Sequence, residues 1–155
     1  MIILSKLADY GVIVATHLAA NAERQITAAS LAGETRLPQA TVAKVLKNLA
    51  HGGIVTALRG AAGGYRLARD ARAISVAEVV AAIDGEIGMT QCSVHDPACD
   101  RHDFCPTRPH WQRINLAIGE ALAAITLSDM AAPTARAAGP ASIRSLTPAA
   151  PSYHG

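Results

Sequence analysis

Aromatic side chains are scarce: 155 residues hold one tryptophan, three tyrosines and one phenylalanine. Hydrophobic residues nevertheless make up 50% of the chain, and alanine is the commonest of them, a composition that favours packed helices. Cysteine is rarer still. Three thiols, with no clear export signal ahead of them, cannot pair off into a disulfide scaffold. No run of roughly 18 uninterrupted apolar residues is present, which excludes a membrane-spanning helix of the usual kind. An excess of acid is also missing, and no nucleophile and base stand at a recognisable catalytic spacing, so an enzyme is not expected. The chain is long enough for one compact domain with an appendage.

The formal charge of +2 hides a split. Residues 1–70 carry eight Lys or Arg against four acids, whereas residues 71–155 carry six against eight. The first half is therefore the one suited to a polyanion. Its opening stretch, Met1 to Ala22, loosely mimics a secretory signal, but Asp9 and His17 interrupt it. Leu4, Leu7, Gly11, Val14 and Leu18 recur instead at steps of three and four, the pattern of a helix with one buried face. A soluble, cytoplasmic protein is expected.

Thr27 is placed to cap a short helix over Ala28 to Ala32, with Gly33 closing it. A second helix follows Leu37-Pro38. There Val42, Val45, Leu46 and Leu49 fall on one face and leave Gln39, Thr41, Lys44 and Lys47 on the other. Two helices joined by a tight turn, the second with small polar groups and lysines outward, form a helix-turn-helix, although an ordinary helical hairpin has the same pattern. Ile54–Leu58 and Tyr65–Leu67 then read as two strands around Arg59-Gly60-Ala61-Ala62-Gly63-Gly64, a β-hairpin wing. Arg59 and Arg66 on such a wing, directly after a helix-turn-helix, point to DNA more specifically than either part alone.

Ser75-Val76-Ala77-Glu78 has capping-box spacing and opens a helix through Ile83. After it come Cys92, Cys99 and Cys105 at C-x6-C-x5-C, in a stretch where Pro97, Pro106 and Pro109 oppose a continuous helix. A polar loop that gathers thiolates suits zinc or an iron-sulfur cluster, with buried inert thiols as the alternative. Trp111, Ile114, Ile118, Leu122 and Ile125 mark a further helix whose apolar stripe suits pairing with a second copy of the chain, with packing within the chain as the alternative. Past Met130 periodicity ends and prolines gather, the composition of a disordered tail.

With these features in place, the chain resembles the IscR-type winged-helix transcription regulators over roughly residues 1–130. The carriers are Leu4 to Gly11, the wing Arg59 to Leu67, Ile74 to Val80, and the three cysteines followed by Trp111. Leu7-Ala8-Asp9-Tyr10-Gly11 and Trp111 to Asn115 look most like the regulators of SUF iron-sulfur assembly genes. The resemblance implies a homodimer on a palindromic operator, with a 2Fe-2S or 4Fe-4S cluster held by Cys92, Cys99 and Cys105. IscR-like members place a histidine where Arg108 stands, and a guanidinium cannot ligate. Members like the nitric-oxide sensors of the family use an aspartate at the position of Asp9, contributed by the other subunit; His110 is the nearby rival. Ala43 replaces a glutamate that helps IscR-like members discriminate between operators.

The expected architecture is mainly α with a small β-hairpin wing. A winged helix-turn-helix domain over 1–85 precedes a cysteine loop over 86–109, a long dimerisation helix over 110–130 and a tail over 131–155. The expected function is a cluster-dependent DNA-binding repressor of SUF genes, with Gln39, Thr41, Lys44, Lys47, Arg59 and Arg66 on DNA. Its alternatives are a nitric-oxide or redox sensor of the same fold, a zinc-stabilised interaction module, and an iron-sulfur carrier.

Overall fold

The computed structural model describes residues 4–60, 63–88, 90 and 104–133. Among these residues six α-helices and one hairpin run in the order α1 (Lys6–Ala20), α2 (Ala28–Thr35), α3 (Gln39–His51), β1 (Val55–Leu58), β2 (Gly64–Leu67), α4 (Val76–Asp84), α5 (Arg108–Ala123) and α6 (Leu127–Ala131). A 3-10 turn at Ala71–Ala73 links the hairpin to α4. The expected class, mainly helical with a hairpin wing and a C-terminal helix, is what the chain forms.

Local chemistry sets the helix starts. Ser5, Thr27 and Ser75 each accept a backbone N–H of the first turn of α1, α2 and α4 through the side-chain oxygen, and Glu78 completes the box by accepting the Ser75 N–H. Ser5 also donates its hydroxyl to Asp84 at 2.7 Å, which joins the start of α1 to the end of α4. Gly33 does not end α2 as expected. The helix runs to Thr35, and Arg36 takes the left-handed conformation with its N–H on the Ala32 and Gly33 carbonyls. Those two bonds satisfy carbonyls that a helix end leaves open, and they hold a non-glycine residue in that region. Pro38 then precedes α3, where its missing N–H costs nothing.

The core is formed by one face from each helix of the winged unit. Val14 and Leu18 of α1, Leu31 of α2, Val42, Val45, Leu46 and Leu49 of α3, and Val79 of α4 are all buried, with Ile26, Ile54 and Ile74 closing the edges. Small residues let the helices approach. A Cβ at Gly52 would lie 2.5 Å from that of Ala82, and one at Gly11 would lie 2.9 Å from Ile83 Cγ1. β1 and β2 pair antiparallel with Thr56 opposite Arg66, and Ile26 bridges to Tyr65 as a one-residue third strand.

One helix over 110–130 was expected, and the chain forms two. α5 starts earlier, at Arg108, because a proline in the first helical turn removes only an N–H that has no partner there. It ends at Ala123, and Thr126 opens α6 with a second capping box closed by Asp129. Between them the backbone pairs with the start of α4: the Val76 N–H donates to Ile125 and the Leu127 N–H to Ile74, both at 2.9 Å. Leu127 is fully buried against the core, so α6 belongs to the winged unit.

Candidate nucleic-acid interface and cysteine loop

Burying four apolar residues of α3 turns its opposite side to solvent. Gln39, Ala43, Lys44 and Lys47 are exposed there and Thr41 is half-buried. Lys44 and Lys47 sit three residues apart, within one turn of each other on the exposed side. The wing adds Arg59, exposed just past β1, and Arg66, exposed on β2. Gly60 takes φ +112°, a conformation that a side chain resists, so the tip turns immediately after Arg59. None of these cations is used in an ion pair among the described residues. A helix with an exposed polar and basic side, followed by a cationic hairpin, has the parts that grip DNA at groove and backbone.

Sequence reasoning passed over a polar cluster that braces the helix-turn-helix. His17 of α1 and Arg24 of the following turn both meet Glu34 of α2, the histidine Nε2 at 2.6 Å from the carboxylate. The His17 bond, ahead of the smaller influence of Arg24, holds the Glu34 carboxyl below its ordinary value. No periodicity signals such a contact, because its partners come from separate elements.

Of the expected cluster ligands, Cys92 and Cys99 lie outside the described residues. Cys105 is half-buried just ahead of α5; its carbonyl accepts the Arg108 N–H and its Sγ lies 3.3 Å from Thr107 Oγ1. His110 is exposed in the first turn of α5, where it lines a shallow groove with Arg113, Ile114 and Ala117. Asp9 is exposed on α1, at the edge of a groove of about 470 Å³ whose other walls include Ile13, His17 and Met130. Among the described residues no three metal-binding side chains come together. α5 buries no residue completely, and Ile114 and Ile125 of its expected stripe are 44% and 43% exposed.

Residues 4–133 match the model of the Rrf2 family, described as iron-dependent transcriptional regulators. The chain belongs to the Rrf2 family. It is 30% identical over 124 residues to an HTH-type transcriptional regulator, ORF2, of Azotobacter vinelandii, covering 79% of this chain and 75% of that one. It is 34% identical over 87 residues to the transcriptional regulator IscR of Xenorhabdus nematophila, a match spanning 56% of this chain and about half, 52%, of that protein. Among solved structures it resembles CymR, the global cysteine regulator of B. subtilis, with a TM-score of 0.67 and 26% identity over 84% of this chain and 97% of the other. The T. potens IscR structure gives 0.66 and 29% over 83% and 85%. As an Rrf2 member of the IscR and CymR kind, this chain is a DNA-binding transcriptional regulator and not an enzyme. No helix among the described residues is long and apolar enough to cross a membrane.

Proposed function

We propose that this Rrf2 regulator is a cytoplasmic homodimer that represses iron-sulfur assembly genes of the SUF type and is controlled by an iron-sulfur cluster. The observation that carries the reading is the position of Cys105, half-buried at the foot of a helix that buries none of its apolar residues completely within its own chain. Pairing α5 with its counterpart in a second copy removes Ile114, Ile118 and Ile125 from water and sets two DNA-binding units on one symmetry axis, which calls for a palindromic operator. The winged domain over 1–85, the loop over 86–109 and the helical segment that follows then divide the work between DNA, metal and partner.

Three thiolates form a donor set that fits a 2Fe-2S or 4Fe-4S centre held by Cys92, Cys99 and Cys105, and such a centre would supply redox or ligand-exchange chemistry beside the dimer helix. Asp9 of the other subunit is the fourth ligand in this reading, with His110 as its rival. An exposed carboxylate on α1 can reach out of its own subunit, as a trans ligand must. On the DNA side Gln39, Thr41 and Lys44 meet base edges or phosphates in the major groove, Lys47 meets phosphate, Arg59 the minor groove and Arg66 the backbone.

Selecting genomic fragments on the purified protein, prepared without oxygen and compared with chelator-treated protein, tests this reading. It expects a palindromic sequence near iron-sulfur assembly genes, retained to different extents by the two preparations. Fragments from nitric-oxide or oxidative-stress genes would move the protein to the sensor branch of the same fold. Identical retention with and without chelation would remove cluster control.

A further inference from the structure

A notch of about 380 Å³ opens beside β2, on the flank of the hairpin away from its tip. Arg66, Arg69 and Arg72 line it together with Thr56, Asp70 and Ser128. Arg69 is held: its guanidinium donates to the Ala73 carbonyl at 2.9 Å and to Glu78 at 2.7 Å. Asp70 spends one carboxylate oxygen on the Arg72 backbone N–H, as cap of the 3-10 turn. Arg66 and Arg72 have no side-chain hydrogen bond or ion pair among the described residues. Counting Asp70 and Glu78 against the three arginines leaves the notch cationic. Two free guanidinium groups around one concavity, with the Thr56 and Ser128 side chains also lining it, match the several oxygens of a tetrahedral dianion better than a carboxylate or a neutral ligand.

We propose that this notch binds a phosphate group, through Arg66 and Arg72 as the charged ligands and Arg69 as a fixed cation behind them. The group comes either from the DNA backbone or from a free phosphorylated molecule, and the two sources separate in experiment. The DNA source rests on reading the wing as a DNA-facing element; the free source does not.

The test uses the full chain, wild type and Arg72→Gln, with Arg72→Lys as the charge-keeping control. Arg72 has no side-chain partner to lose, and far-UV circular dichroism checks that each variant is folded. In one arm, unfolding temperature is followed as inorganic phosphate replaces chloride at constant ionic strength. In the other, affinity for a random-sequence duplex is measured over a range of salt. A phosphate-specific rise in unfolding temperature of a few degrees, absent from Arg72→Gln, identifies a free anion as ligand. A loss of roughly threefold to tenfold in duplex affinity, with the salt slope falling by about 0.9, identifies the DNA backbone. Wild-type behaviour of Arg72→Gln in both arms overturns the proposal. If Arg59→Ala weakens the duplex in that same series, the wing reading stands although the notch has failed. If Arg59→Ala changes nothing, the wing reading fails and the phosphate arm alone decides the notch.

Discussion

Arg59 is the wing residue whose proposed DNA contact is simplest to test. It follows the last residue of β1, precedes Gly60 at positive φ and is exposed. Replacing it with alanine is expected to weaken operator binding by roughly 1–3 kcal/mol at fixed salt. Anisotropy titration of a labelled operator measures this, and unchanged affinity would remove the arginine from the interface. Glu78 illustrates a residue whose role is stability. Its carboxyl is held below the ordinary glutamate value first by the Ser75 backbone N–H, and further by Arg69 and the Ser75 hydroxyl. A depressed folded-state value means that the ionised form stabilises the fold above the ordinary value and that this contribution is lost as pH falls through the lowered one. Wild type should therefore be more stable than Glu78→Gln near neutrality, and the difference should shrink as the solution is acidified through the glutamate range. Denaturant midpoints at a series of pH values check it; a gap that widens in acid would contradict the assignment.

At the scale of elements, α6 is the part that reads least like its sequence. The apolar stripe from Trp111 through Ile125 continues at helical steps, so periodicity gives no reason to stop at Ala123. The stop comes from tertiary contacts: Ile125 and Leu127 trade backbone bonds with Val76 and Ile74, which a helix through 124–126 could not make. A signal for the restart was nevertheless present in Thr126-Leu127-Ser128-Asp129, which has the spacing of a capping box with aspartate in place of glutamate. α1, α3 and α4 were legible because their buried faces repeat at 3.6 residues and their caps are serine or proline. The wing was legible because glycines crowd between two short β-prone runs. Two consequences follow for stability. Leu127→Ala should cost about 2–5 kcal/mol, because the side chain is fully buried between α6 and the winged core. Gly52→Ala should cost about 1–3 kcal/mol, since the added methyl meets the rigid Ala82 side chain rather than a flexible one. Urea unfolding measures both, and losses under about 0.5 kcal/mol, the scale of an ordinary surface change, would place these residues outside the core.

At the scale of the whole molecule, a winged DNA-binding unit is followed by a helix that buries none of its residues completely. α5 leaves Ile114 and Leu116 substantially exposed, as is Ile125 in the link that follows, while the segment after α5 is anchored, through α6, to the winged core. The segment after α5 is thus tied by two backbone hydrogen bonds to the start of α4. In the dimer reading, Ile114→Glu should convert the protein to monomers and lower operator affinity together, as sedimentation and anisotropy would record. A dimer that survives the charge would place the interface elsewhere. Metal control is the part of the account that the winged fold by itself cannot imply, because the motif serves regulators with quite different signals. In the proposed reading it rests on Cys92, Cys99 and Cys105 together with Asp9 or His110.

An absorption spectrum with iron and acid-labile sulfide counts, on protein purified without oxygen beside its Cys99→Ala variant, therefore decides whether the cysteines hold a cluster. A cluster-controlled regulator shows a visible chromophore with sulfide matching iron in the wild type and loses it in the variant. Colourless wild-type protein carrying zinc would contradict it, leaving an Rrf2 DNA binder whose cysteines hold structure and sense nothing.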